Sequence, residues 1–131
     1  MRGVMRGLPL LVGLLALLPV VAASAAPATG RQADLDQYKQ WIQEARLQYP
    51  YPESADKMYR VMMCESAGDR KAVGGRGRYY GLFQYIPATW RGSWNPYRTA
   101  DLYDAKAQIF ATAAAWKRGM QNQWSCYRLT R

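Results

Sequence analysis

The chain has 131 residues, 18 Lys+Arg against 9 Asp+Glu, a formal net charge of +9 and no histidine. This length suits one small domain. The missing histidine excludes Ser-His-Asp and Cys-His catalysis, His-ligated zinc and a histidine general base, and two cysteines are too few for a four-ligand zinc site.

The first 25 residues read as a secretory signal peptide. Arg2 and Arg6 form a basic start, Leu8 to Val21 is apolar, and Ala23-Ser24-Ala25 offers a small-x-small cleavage site. The apolar run is short for a bilayer span, and no cysteine follows it to carry a lipid. Cleavage would remove Arg2 and Arg6, lowering the formal charge by two and leaving no membrane anchor. Export also interprets the cysteines, because two thiols in a small secreted domain most often pair. A Cys64–Cys126 bridge would be worth roughly 4 kcal/mol in the chain-entropy model. Two free buried thiols are the alternative.

Residues 26–33 read as a flexible leader, and 34–131 as the folded domain. A first helix is predicted over Asp34 to Gln48, with Leu35, Tyr38, Trp41, Ile42 and Ala45 at helical spacing. Tyr49-Pro50-Tyr51-Pro52 breaks it. A second helix starts near Pro52 to Ser54 and runs to Ala67, with Gly68 just past its end. Asp69 to Arg78 is polar, basic and glycine-rich, and Gly74, Gly75 and Gly77 mark a loop or short hairpin. It lacks the Gly-Lys-Ser/Thr ending of a phosphate-binding loop. Tyr79 to Ile86 is extended or tightly looped, and Pro87 opens a short helix through Arg91. After a loop holding Trp94 and Tyr97, Asp101 or Asp104 caps a last helix to Arg118, stopped by Gly119. The fold class is mainly α.

Glu65 carries the chemistry. It ends an apolar helical run and shares a face with Met58 and Met62. Partial desolvation there raises a carboxyl's pKa and prepares it to donate a proton near neutral pH. A helix-end glutamate pointing into water is the plain alternative. Five Trp and ten Tyr against two Phe supply rings with polar rims, able to stack on sugars and hydrogen-bond them. Trp41, Trp116 and Trp124 are predicted for the core, and Tyr79, Tyr80, Tyr85 and Trp90 for a cleft. A desolvated acid beside aromatic subsites points to glycosidic bond cleavage, which usually needs a second carboxylate. None stands out: Asp69 looks solvated, and Asp101 and Asp104 read as helix caps.

The order Cys64-Glu65-Ser66, a glycine-rich loop, Tyr80-Gly81-Leu82-Phe83-Gln84, Thr89-Trp90 and Ala107-Gln108-Ile109 resembles secreted lytic transglycosylases of the soluble-type family. It is also similar to the related resuscitation-promoting-factor domain, where a cysteine precedes the glutamate and a second closes the tail. The resemblance spans about Ser54 to Cys126. It implies a lysozyme-like, goose-type fold with one disulfide, no cofactor and no metal. It also implies cleavage of the bond between N-acetylmuramic acid and N-acetylglucosamine in peptidoglycan. Glu65 would act first as acid and then as base, with the substrate's 6-hydroxyl closing an anhydro ring. Ser66 would orient Glu65 or touch substrate. Gly81, Leu82, Phe83 and Gln84 would line the cleft with Tyr80, Tyr85, Thr89 and Trp90. The late Asn-Ala-Gly element common in the soluble-type family is absent after Ile109.

The positive charge favours an anionic polymer. Peptidoglycan strands fit an exported, wall-associated monomer, with a cell-wall enzyme as a further partner, whereas no nucleic-acid module is recognisable. Two other readings are a hydrolytic muramidase, with Asp69 as the base for water, and a weakly active wall-binding module.

Overall fold

The computed structural model describes residues 29–131, so the signal peptide expected over 1–25 and the expected leader up to 28 lie outside the described residues. Helix α1 (Gly30–Gln48) begins four residues before the expected Asp34. The start signal is Thr29, whose hydroxyl accepts the Gln32 N–H at 3.3 Å. Residues 30–33 are therefore helical and not part of a flexible leader. Asp36 instead accepts from the Gln32 side chain one turn away, at 2.9 Å. Leu35, Tyr38, Ile42 and Ala45 form the buried stripe, while Trp41, predicted for the core, is only partly buried at its edge.

Helix α2 (Ala55–Ser66) starts at Ser54, whose hydroxyl accepts the Lys57 N–H at 3.1 Å. Met58, Val61 and Met62 are buried beneath it. The helix stops one residue earlier than the glycine suggests. Ala67 takes the left-handed conformation (φ 53°), and Gly68 follows at φ 76°. A Cβ at Gly68 would collide with Leu35 of α1, so glycine is needed for close packing as well as for the turn. The glycine-rich segment forms a hairpin of β1 (Val73–Gly74) and β2 (Tyr79–Tyr80), paired antiparallel with Val73 opposite Tyr80. Helix α3 (Pro87–Trp90) opens on its proline as expected.

Helix α4 (Ala105–Lys117) is capped by Asp104, which accepts the Ala107 N–H at 2.9 Å. Ala107 through Trp116 are buried without interruption. A helix covered on all sides is the central rod of a small domain, and its alanines let α1 approach closely. A 3₁₀ turn (Gln121–Gln123) and α5 (Ser125–Leu129) complete the chain. The Cys64–Cys126 disulfide ties α5 to the end of α2. The domain is mainly helical, and among the described residues no helix is long and apolar enough to cross a membrane.

Gln108 joins α4 to the aromatic segment. Its buried amide accepts the Phe83 N–H at 2.8 Å and donates to the carbonyls of Tyr80 and Leu102 at 3.0 and 2.6 Å. Gly81, at φ 79°, leaves the room this amide needs. Gln108→Leu keeps the bulk and strands these three backbone groups. Each buried orphan costs about 1–3 kcal/mol. A thermal melt of the variant should fall by well over 5 °C for a domain of this size.

Candidate active site

Glu65 sits in the last turn of α2 and lines a cleft of about 370 Å³. Its carboxyl is half-buried, and burial raises its pKa above the ordinary glutamate value. The backbone N–H of Cys126 approaches it and pulls the other way, but burial is the larger effect. Among the described residues no lysine or arginine lines the cleft to hold the carboxyl ionised. The group is therefore set to carry a proton at higher pH than a solvated glutamate.

Among the described residues no second carboxylate lines this cleft. Other acids have local employment. Asp69 accepts the Lys71 N–H at 2.9 Å and Asp101 the Tyr103 N–H at 2.8 Å, while Asp104 caps α4. Glu53 takes the Tyr127 hydroxyl at 2.6 Å, and Asp56 pairs with Arg60. Among the described residues no cluster of three or more acids or cysteines could hold a metal ion.

The walls are aromatic. Tyr79 reaches the cleft from β2, and Trp94 from the loop after α3. Tyr85 is buried between them and the tail. It stacks on Trp94 (6.2 Å, 19°) and meets Trp90 and Trp124 edge-on at 5.1 and 5.7 Å. Its hydroxyl contacts that of Thr112 at 2.9 Å, which fixes the ring against α4. Thr89 lines the cleft and its carbonyl accepts the Trp94 indole N–H at 3.1 Å. Gln84 lies beside Glu65 in the cleft wall, in a left-handed conformation (φ 53°) that a non-glycine residue rarely takes. Its amide nitrogen donates to the Gly81 and Ala72 carbonyls at 3.0 and 3.3 Å, holding that turn closed.

The remaining expected site residues lie elsewhere. Ser66 faces its own helix end, donating to the Met62 carbonyl and accepting the Gly68 N–H, both at 3.2 Å. Tyr80 bonds the Gly77 carbonyl at 2.6 Å and packs edge-on against Tyr103. Gly81, Leu82 and Phe83 are buried beneath the cleft wall. Trp90 is 2% exposed, and its indole N–H donates to the Ala100 carbonyl at 3.1 Å, so it belongs to the core. In the other direction, Trp124, predicted for the core, also lines the cleft, as do Trp94, Ser125, Gln123 and Met120. The disulfide was the one signal for Trp124 and Ser125, because it brings residues next to Cys126 against the residue next to Cys64. Comparison of the chain with protein-family models, with curated proteins and with solved structures found no match.

Proposed function

We propose that this protein is an exported peptidoglycan lytic transglycosylase on a lysozyme-like fold. The observation that carries the reading is a half-buried carboxyl without a second acid, set in an aromatic-walled cleft. The motif order shared with soluble-type transglycosylases supports the same assignment, and the Cys64–Cys126 bridge supports an oxidising compartment.

The proton on Glu65 goes to the glycosidic oxygen, and the bond from that oxygen to C1 of the muramyl sugar breaks. The neighbouring acetamido oxygen bonds to C1 and stabilises the positive charge. Glu65, now a carboxylate, takes the proton of the 6-hydroxyl as O6 attacks C1 and displaces the acetamido oxygen. An anhydro end forms, and Glu65 regains its proton without consuming water. A single carboxyl suffices for this cycle, whereas hydrolysis by the usual routes needs two. Tyr79 and Trp94 offer ring faces for the sugars.

Mass spectrometry of products from purified wall tests the proposal. Fragments lighter by one water than reducing-end products are expected; reducing ends alone would select the hydrolytic reading. The pH profile gives a second test. Burial holds the Glu65 pKa above its ordinary value, and catalysis starts from the protonated form. The ratio kcat/KM should therefore stay level above the pKa of a solvated glutamate and fall only as the pH rises through the elevated one. A decline that starts at the ordinary glutamate value would contradict the role given to burial.

A further inference from the structure

A second groove, of about 430 Å³, opens between α1 and the start of α4. It lies within the roughly 300–1,000 Å³ of ordinary small-ligand sites. Tyr38 and Trp41 form its aromatic floor, their rings 5.9 Å apart and tilted by 31°. Tyr103 adds a third ring, and Tyr80 of β2 packs edge-on behind it at 5.9 Å. The next residue back along β2, Tyr79, lines the first cleft. The hairpin thus lines the first cleft directly and meets the second groove only through the Tyr80–Tyr103 contact.

Some polar groups of the groove are engaged, since Asp101 accepts the Tyr103 N–H, Asp104 caps α4 and Lys106 pairs with Glu44 at 4.0 Å, but three others are open. The Tyr38 ring is buried, but its hydroxyl is not: it reaches the open groove and makes no hydrogen bond among the described residues. Its pKa is raised by burial and by Asp34, so the phenol stays a neutral donor and acceptor. Asp34 and Arg70 line the same groove, and neither forms an ion pair or side-chain hydrogen bond among the described residues. Lys106 lies over the Trp41 ring, 5.7 Å from its centre. Cations and carboxylates are interleaved here, and the acids are not clustered to hold a metal. Such a lining favours a polyhydroxyl, uncharged ligand over a polyanion or a cation.

We infer that this groove is a second, non-catalytic binding site for an uncharged N-acetylhexosamine chain. One sugar face would stack on Trp41 and Tyr103, and its hydroxyls would bond the Tyr38 hydroxyl, Asp34 and Arg70. The choice of a glycan rests on the proposed function, and the groove would hold a strand on the far side of the hairpin from Glu65.

The five indole N–H signals in an NMR titration separate the two sites, because Trp41 lies in this groove while Trp94 and Trp124 line the cleft. The probe is a chitin tetrasaccharide. The Trp41 signal should shift and saturate on its own curve. Tyr38→Phe removes one hydroxyl and keeps the ring; it should weaken that curve about five- to ten-fold, as one lost hydrogen bond implies. The Trp94 and Trp124 curve should stay in place. A Trp41 signal unmoved at saturation of the cleft would overturn the assignment. So would a Tyr38→Phe curve identical to the parent's, or Trp41 responding to a free zwitterionic tetrapeptide and not to the sugar. Because the readout is binding, failure of the wall digest to yield anhydro ends leaves this result distinct.

Discussion

Glu65→Gln is expected to abolish release of anhydro-ended fragments from purified wall, by a factor of at least about 10²–10⁴, the usual contribution of a positioned general acid and base. Glutamine preserves the size and polarity of the side chain but can neither give nor accept the proton. The loss should fall on kcat, with substrate affinity little changed, because the aromatic walls around Tyr79, Trp94 and Trp124 remain. Folding should not be the cause, and the sign of linkage provides the check. Burial holds the Glu65 pKa above its unfolded value, so the stabilisation from the bound proton is complete below the unfolded pKa and is lost as pH rises through the folded one. Above the raised pKa the parent carries the cost of a half-buried charge, and the variant does not. The melting temperature of the variant should therefore equal or exceed the parent's at pH above the raised pKa, with no such gain in acid. Undiminished turnover in a folded Glu65→Gln protein would remove the catalytic role altogether.

Helix α2, its stripe and its acid could be read from the chain because Met58, Met62 and Glu65 lie on one face and Ser54 caps the start. The disulfide followed from the expectation of export and from having two cysteines. The start of α1 was harder. Asp34 and Asp36 are good N-terminal residues, but Thr29 is also a capping residue and stands five positions earlier, so the helix propagates through Arg31 and Gln32. The cleft was legible only in part, for a physical reason. Aromatic side chains serve equally as core and as sugar platforms, and their polar rims decide nothing until partners are known. Trp90 spends its N–H on Ala100, whereas Trp94 spends its own on Thr89 while its ring still faces the cleft. Both stand in similar loop-like sequence. Trp41 was assigned inward from its helical spacing, but α4 covers only one side of it and leaves the other at the second groove.

Removing the disulfide with Cys64→Ser and Cys126→Ser should lower stability heavily. The bridge spans 62 residues, and closing a loop of that length is worth roughly 4 kcal/mol in the chain-entropy model. For a domain near 100 residues this corresponds to a fall of roughly 15–30 °C in melting temperature, and reductant should produce the same shift in the parent. The tail would not be released at once. Lys57 donates to the carbonyls of Tyr127 and Thr130, the Tyr127 hydroxyl donates to Glu53, and the Trp124 indole donates to the Phe83 carbonyl at 3.0 Å. These clamps and the bridge hold the same segment, which supplies both Trp124 and the Cys126 N–H that reaches Glu65. Lys57→Met should therefore be non-additive with loss of the bridge: mild while Cys64 and Cys126 are joined, and larger once they are not. A double-mutant cycle by denaturant melts measures that difference. Additive losses would mean that the bridge acts on the unfolded chain alone, and the wall formed by the tail would then stand without it.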